Sequence, residues 1–390
     1  MKITDFDYIL PETLIANKPK EKRDESNLLI LNRKNKSFKI SKFKNIGDYI
    51  NPGDLIVIND TKVIPARLIG YKPTGGKIEL LLLNNIEKNK WETLVKPGKR
   101  FKEGAKIYFN NDNKVSYFKG SVEKVLDDGK RIIKFECKGD FYKLLLKYGA
   151  MPLPPYIKNT PLSEKEIRKK YQTIYAKNLG AAAAPTAGLH FTKELIKKLK
   201  NKGVQFGYLT LHVNAGTFLP VKEDNIKNHK MYKEYYKLPR KLVSQIKNTK
   251  EKGKKIIVCG TTTLRALETI FKDGMKINKK AVLEGNTDIF IYPGYKFKIV
   301  DSLITNFHLP RSTLLLLVCA FASRKMILNA YEEAKKNNFR FFSFGDAMLI
   351  LWNAKLRGMS WDLSTFTLSS HLTALLSCLI INEIGLPNTR

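Results

Sequence analysis

Cysteine is scarce in this sequence, and its spacing suits neither a metal site nor a disulfide framework. The 390 residues include four cysteines, at positions 137, 259, 319 and 378, and five histidines. No CxxC pair and no Cys/His cluster with metal-binding spacing is present. We therefore expect no bound metal, and we interpret the three cysteines that lie in apolar runs as buried, reduced thiols.

Long apolar runs are missing as well. No uninterrupted apolar run reaches the length of about 18 residues that indicates a transmembrane helix. The N-terminus, MKITDFDYILPETL, lacks the basic and then apolar segments of a signal peptide. These absences predict a cytoplasmic protein without a membrane partner.

Acidic residues are few relative to basic ones. The chain has 36 Asp and Glu against 70 Lys and Arg, which gives a formal net charge of +34. Such a surface attracts polyanions, and nucleic acid is the first candidate. The lysines are spread along a chain that is also rich in Asn and Ile, so a coding bias is the alternative explanation. Charge alone leaves both open.

The hydrophobic content of 43% is ample for a packed core, and the length favours two domains. Short β-rich runs separated by turn signals favour an antiparallel barrel or sandwich between residues 66 and 140. Helix and strand then alternate from residue 193, which is typical of an α/β domain. We predict a largely parallel or mixed sheet flanked by helices over residues 1–65 and 141–350, an inserted β-barrel-like domain at 66–140, and an atypical apolar tail at 351–390.

Several predicted strands run directly into polar or glycine-containing turns. Strands are expected at 54–58, 204–213, 255–259, 288–292, 298–305 and 339–343, and helices at 163–171, 193–202, 239–251, from 263 onwards and at 312–323. Ligands of open parallel sheets bind at the carboxyl ends of the strands. We therefore expect four segments to converge with the 180–192 loop on one pocket that holds up to three histidines: His212–Thr217, Gly260–Thr262, Thr305–His308 and Gly345–Asp346.

The run GAAAAPTAGLHFT, from Gly180 to Thr192, is not explained by local structure alone. Four alanines favour a helix, which Pro185 interrupts. The run then delivers His190 and Phe191 to a helix whose N-cap is Thr192. Such a helix end offers unpaired N–H groups to an anionic or polar ligand. An ordinary connection with a capping threonine is the alternative.

These motifs resemble one known family. The runs GAAAAPTAGLHFT, LHVNAGTF, CGTTTLRALE, TNFHLPRSTLLLLVCAF and FFSFGDAMLI are similar to those of the S-adenosylmethionine:tRNA ribosyltransferase-isomerases of the queuosine pathway. FDYILPETLIA, NDTKVIPARLIG, MPLPPYI and YQTIYA extend the similarity over roughly residues 1–350. Two features depart from the family pattern: Asn214 replaces the usual glycine of LHVGxGTF, and residues 351–390 have no counterpart.

The resemblance implies a reaction that composition cannot reveal. The family transfers and isomerises the ribosyl part of S-adenosylmethionine onto 7-aminomethyl-7-deazaguanine at the wobble position of tRNA. The products are epoxyqueuosine-tRNA, adenine and methionine. S-adenosylmethionine is then the co-substrate and tRNA the partner, no metal is needed, and the family suggests a monomer. Two alternatives remain: a related RNA-modifying transferase with another donor, and a non-catalytic basic tRNA-binding protein.

This chemistry needs a base to remove a proton beside the sulfonium and an acid to protonate the leaving adenine. Our hypothesis is that His190 or His212 is the main acid/base group, and that Asp60 or Asp346 either assists it or faces the sulfonium. The alternative is that each of them only orients a loop through hydrogen bonds.

Binding candidates come from the same turns. Gly260–Thr262 would hold the methionine carboxylate or a phosphate, or simply cap a helix. Arg265 would bind the carboxylate or pair with Glu268. Candidate stacking platforms for bases are Phe191, Phe218, Phe307 and Tyr156, of which we expect one or two to meet a base. The full set of substrate-binding candidates is Asn59, Thr61, Arg67, Pro185, Thr186, Gly188, Phe191, Gly216, Thr217, Gly260, Thr261, Thr262, Arg265, Asn306, His308 and Gly345.

Overall fold

The computed structural model describes residues 1–99, 101–109, 118–214, 216, 221, 223–272 and 282–352. The strands are β1 (Asn27–Asn32), β2 (Ser37–Lys42), β3 (Leu55–Asn59), β4 (Thr61–Val63), β5 (Arg67–Tyr71), β6 (Lys77–Glu87), β7 (Lys90–Lys96), β8 (Lys106–Tyr108), β9 (Phe118–Val125), β10 (Arg131–Cys137), β11 (Gly149–Ala150), β12 (Asn178–Ala181), β13 (Gln205–Leu211), β14 (Glu234–Pro239), β15 (Ile256–Cys259), β16 (Val282–Thr287), β17 (Ser302–Asn306) and β18 (Ala347–Leu351). The α-helices are α1 (Phe141–Tyr148), α2 (Glu164–Lys170), α3 (Lys193–Asn201), α4 (Arg240–Glu251), α5 (Thr261–Ile270), α6 (Thr313–Ala322) and α7 (Arg324–Lys336).

A nine-stranded mixed sheet forms the body, in the order β16-β14-β13-β3-β15-β17-β18-β1-β2. The centre, β13-β3-β15-β17, is parallel, whereas β14, β16, β18 and β2 add antiparallel pairings. The strands β3, β15 and β17 are buried along their whole length, as expected for parallel strands covered by helices on both faces. The predicted α/β class with a mixed sheet is confirmed.

Helix ends follow the capping signals of the sequence. The Thr192 hydroxyl accepts a hydrogen bond from the Leu195 N–H at 3.1 Å, and α3 is followed by Gly203 with φ +89°. Ser163 and Glu166 form the predicted capping box at α2. Helix α5 starts at Thr261, two residues earlier than predicted, because the backbone of Gly260 turns with φ +92°.

A closed antiparallel barrel is inserted between β4 and β12, which pair with each other in parallel. Its six strands follow the order β5-β6-β7-β10-β9-β8, and the pairing of Tyr71 with Tyr108 joins β5 to β8. Alternate residues such as Leu80, Trp91 and Ile133 fill its interior. The predicted barrel-like unit is confirmed, while the domain limits 66–140 and 351–390 remain predictions.

Some predicted strands were wrong. Residues 298–300 are not in a strand because the buried Glu268 carboxylate accepts hydrogen bonds from their three backbone N–H groups. The strand in this part of the chain, β17, begins only at Ser302. The strand predicted at residues 288–292 is not formed either, because β16 ends at Thr287. Residues 339–343 form a turn in which Phe342 has φ +68°, and the strand comes after it as β18.

Helix α6 (TLLLLVCAFA) is strongly apolar, whereas α7 carries several charged side chains. No single helix in these ranges is both long and apolar enough to cross a membrane, and α6 and α7 pass that test only as a pair bent by 110°.

Candidate active site

One cleft opens at the edge of the sheet where β13, β15 and β17 end. It encloses about 610 Å³, part of it open to solvent. Among the described residues, no Asp, Glu, Lys or Arg lines it. The lining consists of Tyr156, Ala184, Pro185, Thr186, Ala187, Val213, Gly260, Thr261, Thr262, Thr305, Asn306, Phe307, His308, Leu309, Ser312, Leu314, Phe342 and Ser343.

Helix α5 points its N-terminus into this cleft. The Thr262 side chain lies in the first turn and is 93% buried, since its exposed fraction is 7%. Its Oγ1 atom has no hydrogen-bond partner within the described structure. A buried hydroxyl without a partner, beside the free N–H groups of a helix end, is suited to an anionic or strongly polar ligand group.

Asn306 connects three of the loops around the cleft. Its Oδ1 accepts from the Thr186 hydroxyl at 2.9 Å, and its Nδ2 lies 3.3 Å from both the Asp346 carbonyl oxygen and His190 Nε2. A carbonyl oxygen can only accept, so this nitrogen is the donor. His190 Nε2 therefore accepts, and the ring proton is on Nδ1.

His190 lies behind the cleft rather than in it. Its ring packs on Phe43 with centroids 5.0 Å apart, and burial lowers its pKa to about 4. At neutral pH the ring is uncharged and holds Asn306. His190 thus has the geometry of a residue that positions the cleft wall.

His308 is the one of the three predicted site histidines that lines the cleft. Its Nε2 is 2.7 Å from the Thr305 hydroxyl, and its backbone N–H donates to the Tyr331 hydroxyl at 2.9 Å. Burial lowers the pKa of His308 to about 3. The ring is therefore uncharged at neutral pH, and a pKa this low makes it a weak proton acceptor.

His212 lies on the opposite face of its strand. Successive side chains of an extended segment alternate, so when Val213 lines the cleft His212 points away. Its Nδ1 is 2.8 Å from the Thr61 hydroxyl, and the ring lies against Gly180, where an added Cβ would be 2.6 Å from Nε2. Burial lowers the pKa of His212 to about 4.

Asn59 and Asp60 belong to the same group as His212 and do not line the cleft. The Asn59 amide donates to the Leu211 carbonyl and accepts from the Leu211 N–H, which joins β3 to β13. The Asp60 carboxylate accepts from the Thr210 hydroxyl at 2.6 Å and from the Asn178 amide at 3.0 Å. These contacts fix the crossing of strands next to the cleft.

Gly345 and Asp346 lie beside the cleft because β18 runs antiparallel to β17 and begins at the same edge. The fully buried Asp346 carboxylate accepts from the backbone N–H groups of Asn27 and Arg340. At Gly345 an added Cβ would be 2.4 Å from the Arg340 carbonyl oxygen. Both residues build the turn that carries Phe342 and Ser343 into the cleft wall.

Neither predicted arginine lines the cleft. Arg67 is half-exposed on the barrel, where it forms a bidentate pair with Glu79 at 2.8 and 2.9 Å. Arg265 is buried and pairs with Glu234. The alternative pairing of Arg265 with Glu268 is not formed, since the Glu268 carboxylate is occupied by the segment 298–300 and by Tyr295.

The remaining candidates divide between cleft and core. Pro185 lines the cleft, whereas Phe191 is fully buried against Phe43. Gly188 and Gly216 are packed so closely that an added Cβ would lie 2.1 Å from the Tyr175 hydroxyl oxygen and 2.3 Å from the Tyr232 ring, respectively. Predicted site residues outside the described ranges are Thr217 and Phe218.

Phe342 and Ser343 belong to the cleft wall but were not among the residues predicted from the sequence. Phe342 packs on Tyr156 with ring centroids 4.8 Å apart, and the Tyr156 hydroxyl is 2.7 Å from Ser343 Oγ. Positive φ is rare for a bulky residue, which marks Phe342 as a strained position at the cleft. The only sequence signal was the position of these residues inside the run FFSFGD, next to Gly345.

Asn214 has a defined role in the turn where the resembling family has glycine. Its backbone N–H donates to Glu234 at 2.9 Å, and its Oδ1 accepts from the Gly216 N–H at 2.9 Å. Its Nδ2 donates to Asn84 of the barrel at 3.3 Å. The side chain thus joins the end of β13 to the barrel.

A metal centre is not evident in the part of the chain that the structure describes. No group of three or more His, Cys, Asp or Glu side chains has an arrangement that could hold an ion there.

Known proteins are similar to this chain over most of its length. The family model described as queuosine biosynthesis protein matches residues 3–350. A protein of Halothermothrix orenii is 53% identical over 352 residues, which cover 90% of this chain and 100% of that one. A protein of Finegoldia magna is also 53% identical, with 90% and 98% covered. Both carry the name S-adenosylmethionine:tRNA ribosyltransferase-isomerase.

A solved structure is similar as well. The crystal structure of an S-adenosylmethionine tRNA ribosyltransferase from Thermotoga maritima is 40% identical, covers 89% of this chain and 100% of its own, and has a TM-score of 0.50. Residues 351–390 lie outside the family match. Over the matched region, which contains the whole cleft, this chain belongs to the family of queuosine biosynthesis proteins.

Proposed function

We propose that this chain transfers and isomerises the ribosyl part of S-adenosylmethionine onto 7-aminomethyl-7-deazaguanine at the wobble position of tRNA, with release of adenine and methionine. One observation carries the proposal. The loops that hold the motifs of the family line a single cleft, from Pro185 and Val213 through Thr262 and His308 to Ser343.

The cleft suits S-adenosylmethionine for electrostatic reasons. The donor carries a positive sulfonium, and in a chain of net charge +34 the described cleft lining has no Lys or Arg. Its methionine carboxylate would accept from the first N–H groups of α5 and from the unpartnered Thr262 hydroxyl. Contacts that hold the methionine carboxylate would also hold the ribose carbons in place for attack by the aminomethyl group.

The acid/base roles follow from which histidine reaches the cleft. Of His190, His212 and His308, only His308 is among the residues that line the cleft. We therefore assign to His308 the contact with the reacting groups and to His190 the positioning of Asn306 and, through it, of Thr186. His212 and Asp60 would stabilise the strand crossing next to them.

The tRNA would bind through phosphate contacts with the basic surface, so its affinity should fall with salt. A wobble base in the single-stranded anticodon loop reaches a cleft at little cost. Tyr156 and Phe342 offer aromatic surface there. We further propose a monomer that acts in the cytoplasm.

The test is product identification on the tRNA. The enzyme is incubated with S-adenosylmethionine and tRNA carrying 7-aminomethyl-7-deazaguanine. The tRNA is then digested to nucleosides, which are identified by mass spectrometry. The proposal predicts the epoxyqueuosine nucleoside, and none when the tRNA carries guanine at that position. Recovery of only the starting nucleoside from a folded, tRNA-binding enzyme would contradict it.

A further inference from the structure

A second, smaller pocket lies on the other side of the turn that carries Ser343. It encloses about 260 Å³, part of it open to solvent. Ser343 lines both spaces, so they adjoin at this residue. His190 lines this second pocket and not the cleft.

The two spaces differ in charge. The described lining of the cleft has no Lys or Arg, whereas the second pocket is lined by Lys20, Arg23 and Lys170. Arg23 is fixed there, because its guanidinium donates to the Gln172 carbonyl at 2.7 Å and to the Lys169 and Lys170 carbonyls at 3.3 Å. The pocket therefore has one fixed positive charge, and it is also lined by Lys20, which is exposed, and by Lys170, which is half-buried.

Four acidic side chains near the pocket in sequence or space have partners of their own. Glu25 forms an ion pair with Lys44 at 2.8 Å, and Asp24 accepts from the Thr192 hydroxyl at 3.1 Å. Glu166, one turn before Lys170, is held by Ser163 in the capping box. The Asp346 carboxylate is fully buried and accepts from Asn27 and Arg340. Within the described residues, none of Lys20, Arg23 and Lys170 forms an ion pair with a carboxylate, so their charge is available to an anion.

We propose that this pocket binds a phosphate group of the RNA strand next to the nucleotide whose base enters the cleft. The inference rests on the proposed function, because it takes tRNA as the acceptor. When a base is held in the uncharged cleft, the phosphates of its own nucleotide lie just outside the cleft. Because the second pocket adjoins the cleft at Ser343, a phosphate there would be close to Lys20, Arg23 and Lys170. Phosphate contacts of this type set the register of the strand while the cleft reads the base.

The first test compares two double variants that remove the same charge. Lys20→Gln with Lys170→Gln changes the pocket, and Lys34→Gln with Lys36→Gln changes the exposed turn between β1 and β2, at the opposite end of β1 from Asp346. We expect the pocket variant to bind the modified tRNA more weakly and to lower the slope of log Kd against log salt by about 1 to 2. The control should change the slope much less, and the KM for S-adenosylmethionine should be unchanged in both.

The second test locates the phosphate. Anticodon stem-loop RNAs carry one uncharged methylphosphonate, placed in turn on each side of the modified nucleotide. At one of these positions the methylphosphonate should weaken RNA binding by the wild-type enzyme. The pocket variant, which already lacks the contact, should bind this RNA as it binds the stem-loop without a methylphosphonate. Equal slopes for both double variants, or the same loss in wild type and pocket variant at every position, would overturn the inference.

These outcomes are separate from the proposed function. Adenine release by the wild-type enzyme with modified tRNA tests the reaction itself. If adenine is released and the pocket variant binds tRNA like the wild type, only the phosphate site is refuted. If a free anion rather than RNA occupies the pocket, inorganic phosphate will protect the wild type, but not the pocket variant, against thermal unfolding and the methylphosphonates will have no effect.

Discussion

The side-chain amide of Asn306 donates to His190 Nε2 across 3.3 Å and accepts from the Thr186 hydroxyl at 2.9 Å. A histidine outside the cleft thus fixes two residues inside it. Because burial lowers the pKa of His190 to about 4, the ring does this as a neutral acceptor.

This contact predicts how His190 variants behave. His190→Gln keeps an acceptor for Asn306 and should retain much of kcat, whereas His190→Ala should lower kcat about tenfold or more. The shape of the kcat profile between pH 6 and 8 should not change in either variant, since His190 does not titrate there. Loss of an acidic limb of that profile in His190→Gln would identify His190 as a proton carrier instead.

Thr262 separates binding from stability. Its buried hydroxyl has no partner to lose, so Thr262→Val should leave the free energy of unfolding unchanged or slightly higher. The KM for S-adenosylmethionine should rise about tenfold or more, as expected for loss of a hydrogen bond to a charged group. Thr263→Val is the matched control, because the Thr263 hydroxyl donates to the Cys259 carbonyl at 2.6 Å. It should cost about 1 kcal/mol of stability and leave KM alone. An unchanged KM in Thr262→Val would remove Thr262 from the site.

Arg265 should act on stability, not on substrate. Arg265→Met leaves the fully buried Glu234 carboxylate without its ion-pair partner, which typically costs about 3 to 5 kcal/mol. Arg67→Met is the control, because its pair with Glu79 is on the surface and is worth about 1 kcal/mol or less. Denaturant unfolding of both variants measures the difference. A stable Arg265→Met enzyme with a raised KM would contradict this assignment.

The buried histidines predict acid sensitivity. The pKa of His190 is lowered from 6.5 to about 4, so the unfolded chain binds this proton more readily than the folded one. Stability from such a group is complete above pH 6.5 and is lost as the pH falls towards 4. His212 and His308 act in the same direction. The free energy of unfolding should therefore fall between pH 6.5 and about 4.5, and less steeply in His190→Gln. Equal slopes in both proteins would contradict the lowered pKa of His190.

Local signals in the sequence predicted much of the frame. Apolar runs marked the buried strands, and Ser163, Thr192 and Gly203 marked helix ends, because capping depends on neighbouring residues only. The alternation of strands and helices also predicted the edge where Gly260–Thr262 and Thr305–His308 meet.

Contacts distant in sequence account for what could not be predicted. The pairing of Arg265 with Glu234 and the capture of segment 298–300 by Glu268 depend on tertiary packing. The hydrophobic pattern of the sequence does not fix the strand register to within one residue. It therefore could not tell whether His212 or Val213 faces the cleft. The edge strand β16 and its neighbour β14 escaped prediction because polar residues interrupt their apolar pattern.

The most direct test of the account is adenine release from S-adenosylmethionine by the wild-type enzyme, measured with and without tRNA carrying 7-aminomethyl-7-deazaguanine. The proposed function predicts that adenine is released only when the modified tRNA is present. At subsaturating S-adenosylmethionine, Thr262→Val should lower the rate of this release. No adenine from a folded enzyme that binds both substrates, or the same release without tRNA, would contradict it.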